Sequence, residues 1–121
     1  KYVQDKIAQG HDVLLEIDVH GGLRVKNVYL EAVLIFLAPP SMDELKRRLT
    51  QRGTESAQSI QKRTEIAYKE MEYVSYYDYV VVNSTVEAAT EGIGAIVHAE
   101  KSRVARSDDL ISVLLERRDK I

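Results

Sequence analysis

Three arginines between residues 48 and 63 are spaced so that their charges can converge on one anion. Arg48 and Arg52 lie four residues apart in a helical pattern, so both guanidinium groups project from the same side of the predicted helix. Arg63 belongs to a second predicted helix, which follows Gly53 and returns towards the first. Because guanidinium groups are always charged and pair with phosphate oxygens, these residues predict a site for a phosphate chain.

A plainer interpretation fits the same segment. Glu44 lies four residues before Arg48 and can form an ion pair with it on the helix surface. Basic side chains on such a surface usually contact only water. In that case the chain is an α/β domain with solvated arginines, and the spacing alone does not separate the two hypotheses.

Two carboxylates form a second group of candidate residues. Glu16 and Asp18 lie two residues apart at the end of the apolar run DVLLEID, so in a strand their side chains would point to the same side. In open parallel sheets, ligands bind at the edge formed by the carboxyl ends of the strands. The placement therefore predicts a ligand at this edge, although the same acids could simply end the strand and contact water.

The sequence also predicts the elements that position these groups. Ser41 and Glu44 form a capping box after two prolines, so a helix should begin at Met42 and end at Gly53, and Thr54 should cap the next helix. The remaining pattern predicts a helix ending near Gln9, strands at Val13–Asp18, Val33–Ala38 and Tyr79–Val82, a crossover helix at Leu23–Val28, a long helix from Ser56 to about Tyr76, a helix opened by the capping box Ser84–Glu87, and an amphipathic segment at Ser107–Lys120.

Buried strands that alternate with helices indicate an α/β fold with a parallel sheet, because a helix between two such strands implies a right-handed crossover. We expect Glu16, Asp18 and Asn83 at one edge of this sheet. Gly92 and Gly94 interrupt the last core helix, and each costs about 1 kcal/mol relative to alanine. We therefore expect close packing of that helix on its sheet to compensate.

Composition limits the class of protein. The 121 residues are 45% hydrophobic and 30% charged, which is ordinary for one modest globular domain. A net charge of -2 argues against a nucleic-acid binder, and the absence of cysteine excludes disulfides and thiolate metal sites. The longest apolar run, Ala32–Ala38, is too short to span a membrane. We expect a soluble, cytoplasmic protein without nucleic-acid or membrane partners.

The motifs PPS, LKRRL, RGTE and IQKR follow one another along the chain and are flanked by LLEIDVHG and YDYVVVN. Together they resemble the lid of bacterial guanylate kinases, a family that has strands where the two flanking sequences stand. The similarity runs from about Tyr2 to about Lys101. It implies a P-loop nucleoside-monophosphate-kinase-like parallel sheet with helices on both faces and a helical lid. Residues 1–40 and 77–106 would be parts of the core, residues 41–76 the lid and the long helix after it, and residues 107–121 a separate C-terminal segment.

The resemblance implies phosphoryl transfer from ATP to GMP, giving ADP and GDP. Arg48, Arg52 and Arg63 match the lid arginines that clamp the phosphates and stabilise the transferring group. Asn83 matches an asparagine beside the adenine of ATP, although an asparagine after a strand is also an ordinary turn residue.

The same resemblance assigns the two carboxylates to GMP and to Mg²⁺. Asp18 matches the residue that contacts guanine, and an ionised carboxylate can accept both N–H donors of that base. Glu16 matches a residue near the phosphates and the metal, where it could bind Mg²⁺ through water. The alternative from another class is a guanylate-kinase-like interaction module, which uses the groove for peptides without catalysis.

The chain also departs from the family pattern. His20 stands where glutamine is common, and Ser84 where aspartate is usual. No Gly-x-x-x-x-Gly-Lys-Ser/Thr sequence occurs, although that loop cradles the donor phosphates. We therefore expect a carboxyl-terminal part of such an enzyme, inactive as a GMP kinase by itself. In the family, a further strand lies between those matching Val13–Asp18 and Val33–Ala38, so we expect marginal stability or a homo-oligomer formed through open strand edges or the C-terminal helix.

Overall fold

The computed structural model describes residues 2–51, 53 and 56–119. The chain forms two compact units, residues 1–34 and residues 35–121. The described elements are, in order, α1 (Tyr2–Ala8), α2 (Val19–Val28), β1 (Ile35–Ala38), α3 (Met42–Gln51), α4 (Ala57–Met71), β2 (Tyr79–Val82), α5 (Val86–Lys101) and α6 (Asp108–Asp119), with 3₁₀ turns at Val74–Tyr76 and Val104–Arg106. Helices combined with a parallel pair of strands confirm the predicted α/β class.

In the first unit, the predicted strand at Val13–Asp18 is wrong. Residues 11–18 are all described, and they form neither a strand nor a helix. The side chain of Leu14 is 78% exposed and that of Ile17 is 49% exposed. A strand requires hydrogen bonds to a neighbouring strand. No described residue of the first unit belongs to a strand, so residues 11–18 have no strand in that unit to pair with. An apolar sequence without a pairing partner therefore remains irregular.

The helix after this segment begins earlier than the predicted Leu23–Val28. It starts at Val19 because Asp18 caps it, with Oδ1 accepting a hydrogen bond from the Gly21 N–H at 2.7 Å. Gly21 makes this contact possible, since a Cβ at that position would lie 2.9 Å from the same oxygen. The cap thus fixes the position of the Asp18 carboxylate at the start of α2.

The second unit is built on a parallel pair, β1 and β2. Their register runs from Ile35 beside Tyr79 to Ala38 beside Val82. The Asn83 N–H donates to the Ala38 carbonyl at 2.7 Å and so continues the pairing beyond the last strand residues. The predicted strand at Tyr79–Val82 and its parallel direction are confirmed, whereas β1 is shorter than the predicted range.

Helix α5 covers one side of β2. Val81 is buried, and a Cβ built at Gly92 would lie 3.2 Å from its Cγ1 atom, so the helix approaches the strand closely there. The expected close packing is confirmed at Gly92. It is wrong at Gly94, where a Cβ would meet nothing within 4 Å.

The buried carboxylate of Glu100 joins α5 to the other end of β2. Glu100, near the end of α5, is 8% exposed and accepts a hydrogen bond from the Tyr79 hydroxyl at 2.5 Å. This hydrogen bond, together with burial, raises the pKa of Tyr79. The carboxylate of Glu100 also lies 3.6 Å from Arg103 Nη1 and 3.8 Å from Arg106 Nε. The start of β2 is therefore fixed to α5, at the end of the strand opposite Asn83.

The remaining helices place the arginines. Helix α3 packs against α4 and buries Leu49, while Ser56 caps α4 by accepting from the Ser59 N–H at 3.2 Å. The predicted cap Thr54 lies outside the described residues. Helix α6 has leucines and a valine that are more than half exposed. Within the described residues, every helix is too short or too polar to cross a lipid bilayer.

Candidate functional site

The helix that positions Arg48 has the boundaries that the sequence predicts. It begins at Met42, and the Glu44 N–H donates to Ser41 Oγ at 3.0 Å, which is the predicted cap. Gly53 follows its end with a φ of +67°, a left-handed conformation that favours glycine. Burial of Leu49 fixes the rotation of the helix and directs the neighbouring Arg48 towards the carboxyl end of β2.

Arg48 connects α3 to the loop between β2 and α5. Its Nη1 donates to the Asn83 carbonyl at 2.8 Å, and its Nη2 donates to the Ser84 carbonyl at 3.0 Å. Its Nε donates to Glu44 Oε1 at 3.1 Å. The ion pair of the plainer interpretation is therefore present, but the guanidinium group is not merely solvated, because it also binds two carbonyls at the edge where Asn83 lies.

Glu44 is shared by two arginines. Arg47 donates from Nε to Oε2 at 2.9 Å and from Nη2 to Oε1 at 2.5 Å, a paired contact, while Arg48 binds Oε1. The hydrogen bond from Arg47 is the main cause that lowers the pKa of Glu44 to about 2, with burial opposing it and Arg48 adding to it. Contact with Glu44 raises the pKa of Arg47. The cluster therefore has two positive charges and one negative charge at neutral pH.

The loop that receives Arg48 is short and its ends are fixed. Asn83 is bonded to β1 through its N–H, and Thr85 caps α5 by accepting from the Ala88 N–H at 3.0 Å. The predicted cap, Ser84, is wrong by one residue. Thr85 has the extended backbone that an N-cap requires, while the carbonyl of Ser84 faces Arg48.

The structure describes only one of the other two candidate arginines. Arg63 lies in α4, the helix that packs on α3, and its side chain is exposed. The adjacent Thr64 is 4% exposed and donates to the Ile60 carbonyl at 2.8 Å, which fixes this turn of the helix. Arg52 lies outside the described residues. The convergence of three arginines therefore stays a prediction.

The two carboxylates belong to the first unit, whereas the arginines and Asn83 belong to the second. Glu16 is exposed within the irregular residues 11–18. Asp18 is exposed and caps α2 through one oxygen. Because a carboxylate has about four acceptor positions, capping leaves Asp18 able to accept from a ligand as well.

The donor set fits a magnesium ion that keeps most of its water. Among the described residues, no three acidic, histidine or cysteine side chains come together as a metal site. Mg²⁺ bound with nucleotide needs only one or two protein carboxylates, since phosphate and water supply the other oxygens. The exposed carboxylate of Glu16 is compatible with such a role.

Sequence reasoning misses three contacts of this site. The Glu44–Arg47 pair had a visible signal, because residues three apart on a helix are neighbours. The bonds from Arg48 to the carbonyls of Asn83 and Ser84 had none, since they join residues 35 and 36 positions apart through main-chain atoms that every sequence possesses.

Comparison with known proteins gives a consistent result. The family model described as guanylate kinase matches residues 1–100. The chain is 51% identical over 110 residues to the guanylate kinase of Caldanaerobacter subterraneus, covering 91% of this chain and 53% of that protein. It is 50% identical over 111 residues to the guanylate kinase of Clostridium acetobutylicum, covering 92% of this chain and 53% of that protein.

A solved structure agrees with the sequence comparison. The crystal structure of guanylate kinase from Anaplasma phagocytophilum superimposes with a TM-score of 0.71 at 33% identity, covering 88% of this chain and 50% of that one. The chain thus spans about half the length of the curated relatives that it matches. This similarity shows that the chain has part of the P-loop nucleoside-monophosphate-kinase fold, which belongs to the α/β class.

Proposed function

Because this chain belongs to the guanylate kinase family, we propose that it contributes the lid and part of the nucleotide site to phosphoryl transfer from ATP to GMP, giving ADP and GDP. One observation supports this most strongly. Arg48, a predicted phosphate ligand, contacts the main chain of Asn83, the predicted adenine neighbour, at the carboxyl end of β2. Ligands of open parallel α/β sheets bind at such an edge.

On the donor side, the guanidinium of Arg48 would exchange its carbonyl partners for phosphate oxygens when ATP binds. Phosphate bears charge, so its hydrogen bonds with arginine are stronger than those of a neutral carbonyl. Transfer of a phosphoryl group depends mainly on positioning and on neutralising the charge of its oxygens. Arg48, Arg52 and Arg63 are the residues proposed for this role, with Asn83 beside the adenine.

On the acceptor side, Asp18 would accept the two N–H donors of guanine while one oxygen also caps α2. Glu16 would hold water bound to Mg²⁺, whose charge helps to neutralise the phosphates. The cap matters for recognition, because it orients the carboxylate before GMP arrives and so reduces the cost of binding.

A chimera tests this proposal. The 110 aligned residues of this chain would replace their counterparts in the Caldanaerobacter subterraneus guanylate kinase, which retains its own remaining half. We expect ADP formation that depends on both GMP and ATP in a coupled assay. The 121-residue chain alone, which lacks the phosphate-loop motif, should show none.

The chimera also separates the alternatives. A folded chimera that is stabilised thermally by neither nucleotide would contradict the proposal and favour an interaction module. Binding of both nucleotides without turnover would contradict the catalytic role of the lid and leave only a nucleotide-binding domain.

A further inference from the structure

We propose that Glu44 is a positioning residue for Arg48, and that its carboxylate aims the two terminal nitrogens of Arg48 at the loop of Asn83 and Ser84. This inference rests on the proposed function for its link to ATP. Its structural half, the orientation of one arginine by one carboxylate, stands on the contacts alone.

The first step is the division of the guanidinium donors. Nε of Arg48 points back along α3 to Glu44, while Nη1 and Nη2 point away from the helix to two successive carbonyls. The guanidinium group is planar, so fixing Nε fixes the direction of the other two nitrogens. Glu44 therefore sets the orientation in which Arg48 meets the loop.

The second step is that Glu44 is itself held. Arg47 binds both of its oxygens, and the backbone N–H of Glu44 is capped by Ser41. The side chain of Glu44 is 26% exposed and that of Arg48 is 34% exposed, so the pair is partly shielded from water. Because Arg47 restricts the rotation of the Glu44 carboxylate, the acceptor that Arg48 binds has a fixed position.

The third step concerns the ligand. When phosphate replaces the two carbonyls, the bond from Nε to Glu44 can persist, because it uses a different edge of the guanidinium group. Arg48 then keeps the orientation that Glu44 sets and does not have to be ordered from solution. Glu44 thereby lowers the entropy cost of recruiting this arginine to ATP.

The test compares Glu44→Ala with Glu91→Ala, which removes an exposed carboxylate from α5. Alanine is the best helix former, so both helices should persist, as far-ultraviolet circular dichroism would check. The readout is the side-chain N–H signal of Arg48 in a proton–nitrogen NMR spectrum of the 121-residue chain, assigned with Arg48→Lys. We expect Glu44→Ala to shift this signal and speed its exchange with water, and Glu91→Ala to leave it unchanged.

ATP titration of the chimera, unsubstituted and with Glu44→Ala or Glu91→Ala, tests the link to function. We expect Glu44→Ala to weaken ATP binding by about fivefold or more, corresponding to one lost hydrogen bond. An unchanged Arg48 signal in Glu44→Ala would overturn the inference. If the unsubstituted chimera binds no ATP while the Arg48 signal of the 121-residue chain still depends on Glu44, positioning stands and the donor-site proposal fails. If Glu44→Ala unfolds, Glu44→Gln, which keeps the shape but loses the charge, replaces it with the same expected direction.

Discussion

The segment 11–18 and the strand β2 share a sequence pattern and differ in structure. Each has an apolar run that leads to a polar candidate residue, Asp18 at the end of the segment and Asn83 directly after the strand. Strand β2 pairs in register with β1 and lies under α5, whereas residues 11–18 have no strand partner within the described part of the chain. An apolar run thus specifies the capacity to form a strand, and pairing decides whether the strand forms.

The difference extends to the candidate residues. Asn83 is fixed by contacts with distant elements, through the Ala38 carbonyl and through Arg48. Asp18 is fixed by a local contact, the cap of its own helix. A functional group can therefore be oriented in this chain without its strand, provided that a helix cap supplies the missing constraint.

Amide hydrogen exchange should show the largest difference between the segment 11–18 and the end of β2. In the 121-residue chain we expect the Asn83 N–H, bonded to Ala38, to exchange at least about 100-fold more slowly than the amides of Leu14, Leu15 and Glu16. Exchange read by NMR gives each rate separately. In the chimera, where the relative's remaining half is present, the three amides should become protected. Equal protection in the chain alone would mean that residues 11–18 are already paired.

Substitution of Asp18 should separate capping from ligand recognition. Asparagine is as good an N-cap as aspartate, so Asp18→Asn should keep α2 intact. It loses the charge that favours two guanine donors, and we expect the KM for GMP in the chimera to rise by about 10- to 100-fold. Asp18→Ala should show the same loss and also a lower melting temperature, because removing a cap costs about 1 kcal/mol. An unchanged KM in Asp18→Asn would remove Asp18 from the GMP site.

The two glycines of α5 test how closely that helix covers β2. Gly94→Ala should stabilise the chain by about 1 kcal/mol, since its Cβ meets open space and alanine favours the helix. Gly92→Ala should gain less or destabilise, because its Cβ would lie 3.2 Å from Val81 Cγ1. Urea unfolding of both variants measures the difference. The same gain from both would show that α5 does not press on β2 at Gly92.

Several local features are predictable from the sequence. The cap at Ser41, the stop at Gly53 and the strand at Tyr79–Val82 each depend on neighbouring residues or on a regular pattern, and each was predicted correctly. The fold class followed from the alternation of such elements. The absent strand at 11–18 could not be predicted by the same means, because its partner is not local.

The contacts of the candidate site likewise divide into local contacts, which the sequence predicts, and distant contacts, which it does not. The pairing of Glu44 with Arg48 follows from helical spacing, and the sequence predicts it as an alternative to phosphate binding. That Arg48 also reaches the carbonyls of Asn83 and Ser84 depends on how α3 packs within the second unit, beside the end of β2. No local pattern contains this information.

The turnover of Arg48→Met in the chimera tests most directly whether Arg48, which contacts the loop after β2, serves phosphoryl transfer. Lys46→Met, an exposed basic residue of the same helix, is the matched control. Loss of the two carbonyl contacts should cost stability of about 0.5 to 1.5 kcal/mol each, so both variants are assayed well below their melting temperatures. We expect kcat to fall by about 10³- to 10⁵-fold in Arg48→Met and to stay unchanged in Lys46→Met. A loss of less than about threefold in Arg48→Met would show that this arginine is a structural link and not a catalytic group.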